Sequence, residues 1–231
     1  IVLAGYASNS KYPFLGGIRS SAQMISYEIA MGMSVVPVFM LVGELNLTKV
    51  VEYQASGAWL IFKQPLAFII FLIAAFAETN RLPFDMPESE SELVGGYHTE
   101  YSSMKFALFF LGEYIAMFAI SGLAVTLFLG AGGGPGVEAL PWLKVIWFLA
   151  KVCILIGVMI WLRGTLPRLR VDQLMGFAWK FLLPLSILNI FIAGVAWHAK
   201  NANEGTAVSV IVWVAALIIL YAAAKGLDRV N

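Results

Sequence analysis

Apolar residues gather in six long runs, roughly 22–43, 58–77, 104–130, 142–162, 174–197 and 207–224, separated by short polar stretches. A hydrocarbon core of about 30 Å takes about 20 residues of helix. Each run therefore predicts a membrane-spanning α-helix, the one open-chain structure that satisfies its own backbone groups in lipid. Pro37, Pro65 and Pro184 fall within or near the ends of these runs, where they predict kinks or freed carbonyls rather than breaks. Trp142 and Trp161 bracket one run as interfacial anchors do. The first residues, 1–7, are too short to span and read as the tail of a helix. GAGGGPG (Gly130–Gly136) reads as a loop, and no internal repeat is visible.

Composition turns this pattern into a class. Of 231 residues, 60% are hydrophobic and 13% charged, with a mean hydropathy of +0.83; soluble domains carry about a quarter charged residues. The expectation is an all-α, polytopic integral membrane bundle, a single transmembrane domain over 1–231. A lone cysteine, Cys153, excludes a disulfide framework and any multi-thiolate metal site, and His98 and His198 are not spaced as ligands. No metal site is expected, and no nucleic-acid partner.

Charge gives the spans an orientation. If the six alternate, one side collects Lys11, Arg19, Arg81, Lys105, Arg163, Arg168, Arg170, Lys225 and Arg229. The other collects Lys49, Lys63, Lys144 and Lys200, while Lys151 and Lys180 fall inside spans. Nine against four assigns the first side to the cytoplasm or its equivalent. That side also carries an acidic loop, residues 78–103, in the stretch AETNRLPFDMPESESELVGGYHTEYSSMK, which holds six of the fourteen carboxylates.

The loop carries signs of a specified shape. Pro83 and Pro87 stop the preceding helix, Asp85 and Pro87 mark the start of a short one, and Ser89 with Glu92 resembles a capping box. Gly95 and Gly96 would end it. Glu88 and Glu92 share a face of that helix, and Glu90 points away. Leu82, Phe84, Met86, Leu93, Val94 and Tyr97 give the loop apolar surface to bury. Four further charges lie within runs. Glu28 is nine residues past Arg19, about 13 Å of helix; Glu113, Lys151 and Lys180 fall at similar depth. Charge there costs at least about 2.5–3.5 kcal/mol and faces a bundle interior or a water-filled cavity. A polar, proton-conducting chain and a pair of structural ion pairs are both open on this basis.

The stretch AETNRLPFDMPESESELVGGYHTEYSSMKFALFFLGEY closely resembles the signature loop of the NADH dehydrogenase subunit 1 family, the H-type membrane subunit of respiratory complex I. The resemblance extends through GYASNSKY and IRSSAQMISYE upstream and LPRLRVDQLM and the WK…LPL run downstream, from Gly5 to about Leu185. It implies a membrane subunit of a proton-translocating NADH:quinone oxidoreductase. A protein of this kind helps form a quinone cavity and couples quinone reduction to proton translocation through buried carboxylates. Carried over by position, the proton pathway takes in Glu28, Glu78, Asp85, Glu88, Glu90, Glu92 and Glu113, with Lys151 and Lys180 added by depth. The quinone contacts implied are Tyr27, Arg81, Phe84, Asp85 and Glu88.

The resemblance further implies quinone as substrate and no cofactor bound by this chain alone, with FMN and iron–sulfur clusters in partner subunits. Expected partners are hydrophilic-arm subunits carrying the terminal iron–sulfur cluster and the quinone headgroup site, antiporter-like membrane-arm subunits, and lipid. The expected compartment is the bacterial plasma membrane rather than the mitochondrial inner membrane. Two departures stand out: Val171 occupies a position usually held by Tyr, and members of the family extend further at the N-terminus. Residues 207–224 read as an extra C-terminal span carried by some members. Three rivals remain: the homologous membrane subunit of an energy-converting hydrogenase, a stand-alone proton-coupled transporter, and a purely structural anchor.

Overall fold

A computed structural model describes residues 1–87, 94–137, 140–201 and 214. Among the described residues it is helical, with four helices long and apolar enough to cross a membrane. In chain order the helices are α1 (Val2–Ala7), α2 (Lys11–Val42), α3 (Leu47–Ala55), α4 (Leu60–Lys63), α5 (Pro65–Glu78), α6 (Ser103–Phe128), α7 (Leu143–Thr165), α8 (Val171–Phe177) and α9 (Leu183–Asn201). A π-helical segment, Ala178–Leu182, joins α8 to α9 into one continuous span, and a 3₁₀ turn, Gly96–His98, precedes α6.

Four of the six apolar runs thus appear as single long spans. The 58–77 run does not, because its proline acts as a break rather than a kink. The chain stops at Gln64 in a non-helical conformation (φ −137°, ψ 63°), and Pro65 opens α5. A proline has no N–H to lose at the first turn of a helix, so the break falls where it costs least. Pro37 stays inside α2. Pro184 lies in the first turn of α9, one residue past the π-helical segment, the wider turn that a missing intrahelical bond permits. The run at 207–224 lies outside the described residues.

The bundle is organised around α2, which packs against α5, α9 and α1. Its buried stripe is made largely of small or polar residues: Gly16, Ser20, Gln23, Tyr27, Ala30 and Ser34 recur at three- and four-residue spacing, with Val38 continuing it. Small residues let helix backbones approach closely in a membrane, which the apolar content alone does not reveal. Two apolar cores lie along the bundle. One, nearer the acidic loop, joins Tyr27, Ile70, Phe76, Phe84, Met117, Met159 and Leu182. The other joins Val38, Val50, Leu60, Phe71, Val125, Phe128 and Val152 at the opposite end. Ile115, Ile154, Ile160, Phe191 and Val195 are exposed on the outer faces, as lipid-facing residues are.

Polar side chains fasten the end away from the acidic loop. Buried Gln54 donates through Nε2 to the carbonyls of Thr126 and Leu127 (3.0 and 3.2 Å), and its Oε1 accepts from Leu60 N. One amide thus satisfies the C-terminal carbonyls of α6 and the N-terminus of α4 together.

Candidate carboxylate site at the acidic loop

Glu113 sits ten residues into α6, buried, with its two oxygens held by different segments. Oε2 lies 2.9 Å from Arg81 Nη2, and the buried Tyr97 hydroxyl donates to Oε1 at 3.0 Å. Arg81 stands at the corner where the chain leaves α5, just past Asn80, whose φ is +51°. The corner is closed by Phe84 N donating to Arg81 O at 2.8 Å. The guanidinium also lies over the rings of Tyr114 (4.8 Å) and Phe110 (5.2 Å). Phe110, Glu113 and Tyr114 share one face of α6 by their i, i+3 and i+4 spacing, so a single arginine covers a carboxylate and two rings. A buried charge without a partner is costly; here the opposite charge and the hydroxyl meet it.

A second ion pair docks the acidic loop on the basic one. Arg168 Nη2 donates to Asp85 O at 2.8 Å and reaches Asp85 Oδ2 at 3.3 Å. Beside it, Leu169 N donates to Pro83 O. From beneath, Gln23 Nε2 donates to Ala77 O and Phe84 O, each at 2.7 Å. The Tyr27 hydroxyl donates to Leu174 O at 2.9 Å, and its ring meets Phe84 edge-on. Three segments far apart in sequence therefore converge on residues 81–86.

The predicted site residues divide accordingly. Arg81, Asp85, Glu113, Tyr27 and Phe84 are gathered here. Tyr27 is fully buried and Phe84 nearly so, so both are core residues of this conformation rather than open contacts. Glu78 ends α5 half-buried, its Oε2 without a hydrogen-bond partner among the described residues. Glu28 lies close enough to repel it electrostatically, yet is itself exposed on the outer face of α2. Glu88, Glu90 and Glu92, with the short helix expected around them, lie outside the described residues. Sequence reasoning missed Gln23, Tyr97 and Arg168. A glutamine recurring in register with Ser20, Tyr27 and Ala30 was the available signal for the first.

The two lysines are not brought to this site. Lys151 Nζ donates to Leu129 O, Ala131 O and Gly133 O at 2.7, 3.0 and 2.6 Å and lies over the Trp59 ring. Leu129 is sixteen residues beyond Glu113, about 24 Å along the helix. Depth reckoned from the Cα of Lys151 overlooks the side chain: it tilts toward the helix N-terminus, and its long stem carries the ammonium outward. Lys180 is exposed in the π-helical segment. A cavity of about 520 Å³ lined by Ala7, Ser8 and residues 100–105 opens beside the loop, and among the described residues none of the predicted quinone contacts lines it.

Comparison with known proteins adds a lineage to this geometry. The family model described as NADH dehydrogenase matches residues 1–194. The chain is 57% identical over 196 residues to an H-type NADH-quinone oxidoreductase subunit from Geobacter sulfurreducens, covering 84% of this chain and 55% of that one. It is 53% identical over 192 residues to the H-type NADH-quinone oxidoreductase subunit from Protochlamydia amoebophila (83% and 57%). Against the corresponding protein of Geobacillus kaustophilus it is 54% identical over 200 residues (85% and 59%). It spans a little over half the length of these curated relatives.

Proposed function

The chain belongs to the NADH dehydrogenase subunit 1 family, and on that premise we propose that it serves a proton-translocating NADH:quinone oxidoreductase as a membrane subunit without redox groups of its own. It helps shape the quinone cavity and passes the consequence of quinone reduction to buried carboxylates. The observation that carries this reading is the Glu113 carboxylate divided between Arg81 and Tyr97. Both partners belong to the segment that bears the acidic loop, so a change in that loop changes the surroundings of a carboxylate within the membrane. Glu78, next to the same corner and repelled by Glu28, extends the line toward the outer face of α2.

Glu28 and Lys180 are exposed in spanning helices, and charges at such depth require polar neighbours. Other subunits of the membrane arm supply them in this reading, the antiporter-like ones among them. The acidic loop faces the cytoplasm of a bacterial cell, supported by the excess of lysine and arginine on its side. There it meets the hydrophilic subunits that carry the terminal iron–sulfur cluster and the quinone headgroup site; FMN and the clusters reside in those partners. Asp85, Glu88, Glu90 and Glu92 form the mouth of the carboxylate line, and Arg81, Phe84, Asp85 and Glu88 meet the quinone when the loop admits it, with Tyr27 behind them.

A photoreactive azido-quinone tests the cavity. In the assembled complex, illumination is expected to label residues 81–103, and excess natural quinone to suppress the labelling. Labelling confined to other subunits or to lipid-facing helices would contradict a cavity wall here. No displaceable labelling anywhere in the complex would favour the hydrogenase-type relative, which need not use quinone.

A further inference from the structure

We infer that Tyr97 is the positioning residue through which the acidic loop holds the Glu113 carboxyl in both of its protonation states. The inference rests on the reading of Glu113 as a coupling carboxylate. Arg81, the cation paired with Glu113, can only donate hydrogen bonds, so it favours the ionised form alone. A phenol does both. Its O–H donates to the carboxylate oxygen, as at the 3.0 Å contact seen here. When Glu113 takes up a proton, the phenol oxygen can accept from the carboxyl O–H at the same place, with no covalent change in Tyr97.

The placement of Tyr97 makes this contact sensitive to the loop. Its ring is fully enclosed, packed edge-on against Phe109 (5.5 Å) and His98 (5.0 Å). The backbone leading to it runs through three consecutive residues with positive φ: Val94 at 63°, Gly95 at 137° and Gly96 at 65°. A β-branched residue in that region is a genuine outlier. The turn is seated in a notch on α2. A Cβ added at Gly16 would lie 3.0 Å from both Tyr97 N and Pro87 O and 3.2 Å from Gly96 Cα. Tyr97 therefore cannot slide independently of the loop, and its hydroxyl bears on an oxygen of Glu113. Rearrangement of the loop is transmitted to the carboxyl through this hydrogen bond, beside the Arg81 ion pair.

The test is Tyr97→Phe in the assembled complex, which keeps the ring and its packing while deleting the hydroxyl. Quinone-reductase turnover is expected to fall about three- to tenfold, the scale of one hydrogen bond, with assembly unchanged. In infrared difference spectra between oxidised and reduced states, the carboxyl C=O band that Glu113→Gln abolishes is expected to move to higher wavenumber, because a hydrogen bond softens that stretch. Phe109→Leu, which loosens the ring but spares the hydroxyl, is expected to leave the band in place. Carboxyl bands in Tyr97→Phe identical to the parent complex would overturn the inference whatever happens to the rate, and so would an equal shift in Phe109→Leu. Should Glu113→Gln itself pump normally, the underlying reading fails and this one with it. Lost pumping in Glu113→Gln with unchanged Tyr97→Phe spectra defeats this inference alone.

Discussion

Arg81→Met is expected to give a complex that assembles poorly, because it strips a buried carboxylate of its cation. Removing one member of a buried ion pair costs about 3–5 kcal/mol, and Arg81 and Glu113 are both almost wholly enclosed. Methionine fills the space over Phe110 and Tyr114 with apolar volume, so the loss traces to charge rather than to a cavity. The double variant Arg81→Met/Glu113→Gln separates the two contributions. With no charge left unpaired, it is expected to recover most of the assembly while remaining unable to pump. Recovery of intact complex on native gels, with thermal midpoints in detergent, checks both arms. A double variant as unstable as Arg81→Met would mean that Arg81 is needed for its stacking alone.

Lys151→Met is the second large effect, opposite in kind. Three carbonyls of the α6 terminus and the glycine-rich loop lose one shared ammonium. Hydrogen bonds to a charged group contribute about 1.5–3 kcal/mol each; since they share one donor and are not additive, a loss on the order of 3 kcal/mol is expected. The loop is built around this lysine's helix. A Cβ at Gly132 would lie 2.5 Å from Lys144 O, and one at Gly134 would lie 2.7 Å from the Trp147 ring. Limited proteolysis is accordingly expected to cut the Gly130–Gly136 loop in Lys151→Met and spare it in the parent. Complexes that do assemble are expected to pump with normal stoichiometry. A lowered proton yield per electron would return Lys151 to the proton pathway and contradict its role as an internal clamp.

The outline of the fold was legible because lipid imposes it: a long apolar run has one way to cross, and four of the six runs appear as single long spans. What failed was local and had local causes. Gln64–Pro65 interrupts a run that hydropathy alone treats as continuous. Lys151 has a Cα at mid-depth and an ammonium that is not. The candidate site was readable as a set of residues and not as a set of pairings. Glu113 and Arg81 were both visible, but nothing in their spacing joins an α6 glutamate to the corner after α5. Asp85 and Arg168 lie 83 residues apart, and only packing of the two loops makes them neighbours. Tyr97 resembled any apolar loop residue until its hydroxyl was found on Glu113. Gln23 was closest to being found, standing in the buried register of α2 where an unpaired amide would be expensive.

Coupling through Glu113 is measured most directly by the number of protons translocated per electron pair in proteoliposomes carrying Glu113→Gln. Normalising to electrons consumed removes any change in the yield of intact complex. Quinone reduction is expected to continue with proton translocation lost or sharply lowered. A ratio equal to that of the parent complex would contradict it and reduce the Arg81–Glu113–Tyr97 cluster to a structural clasp.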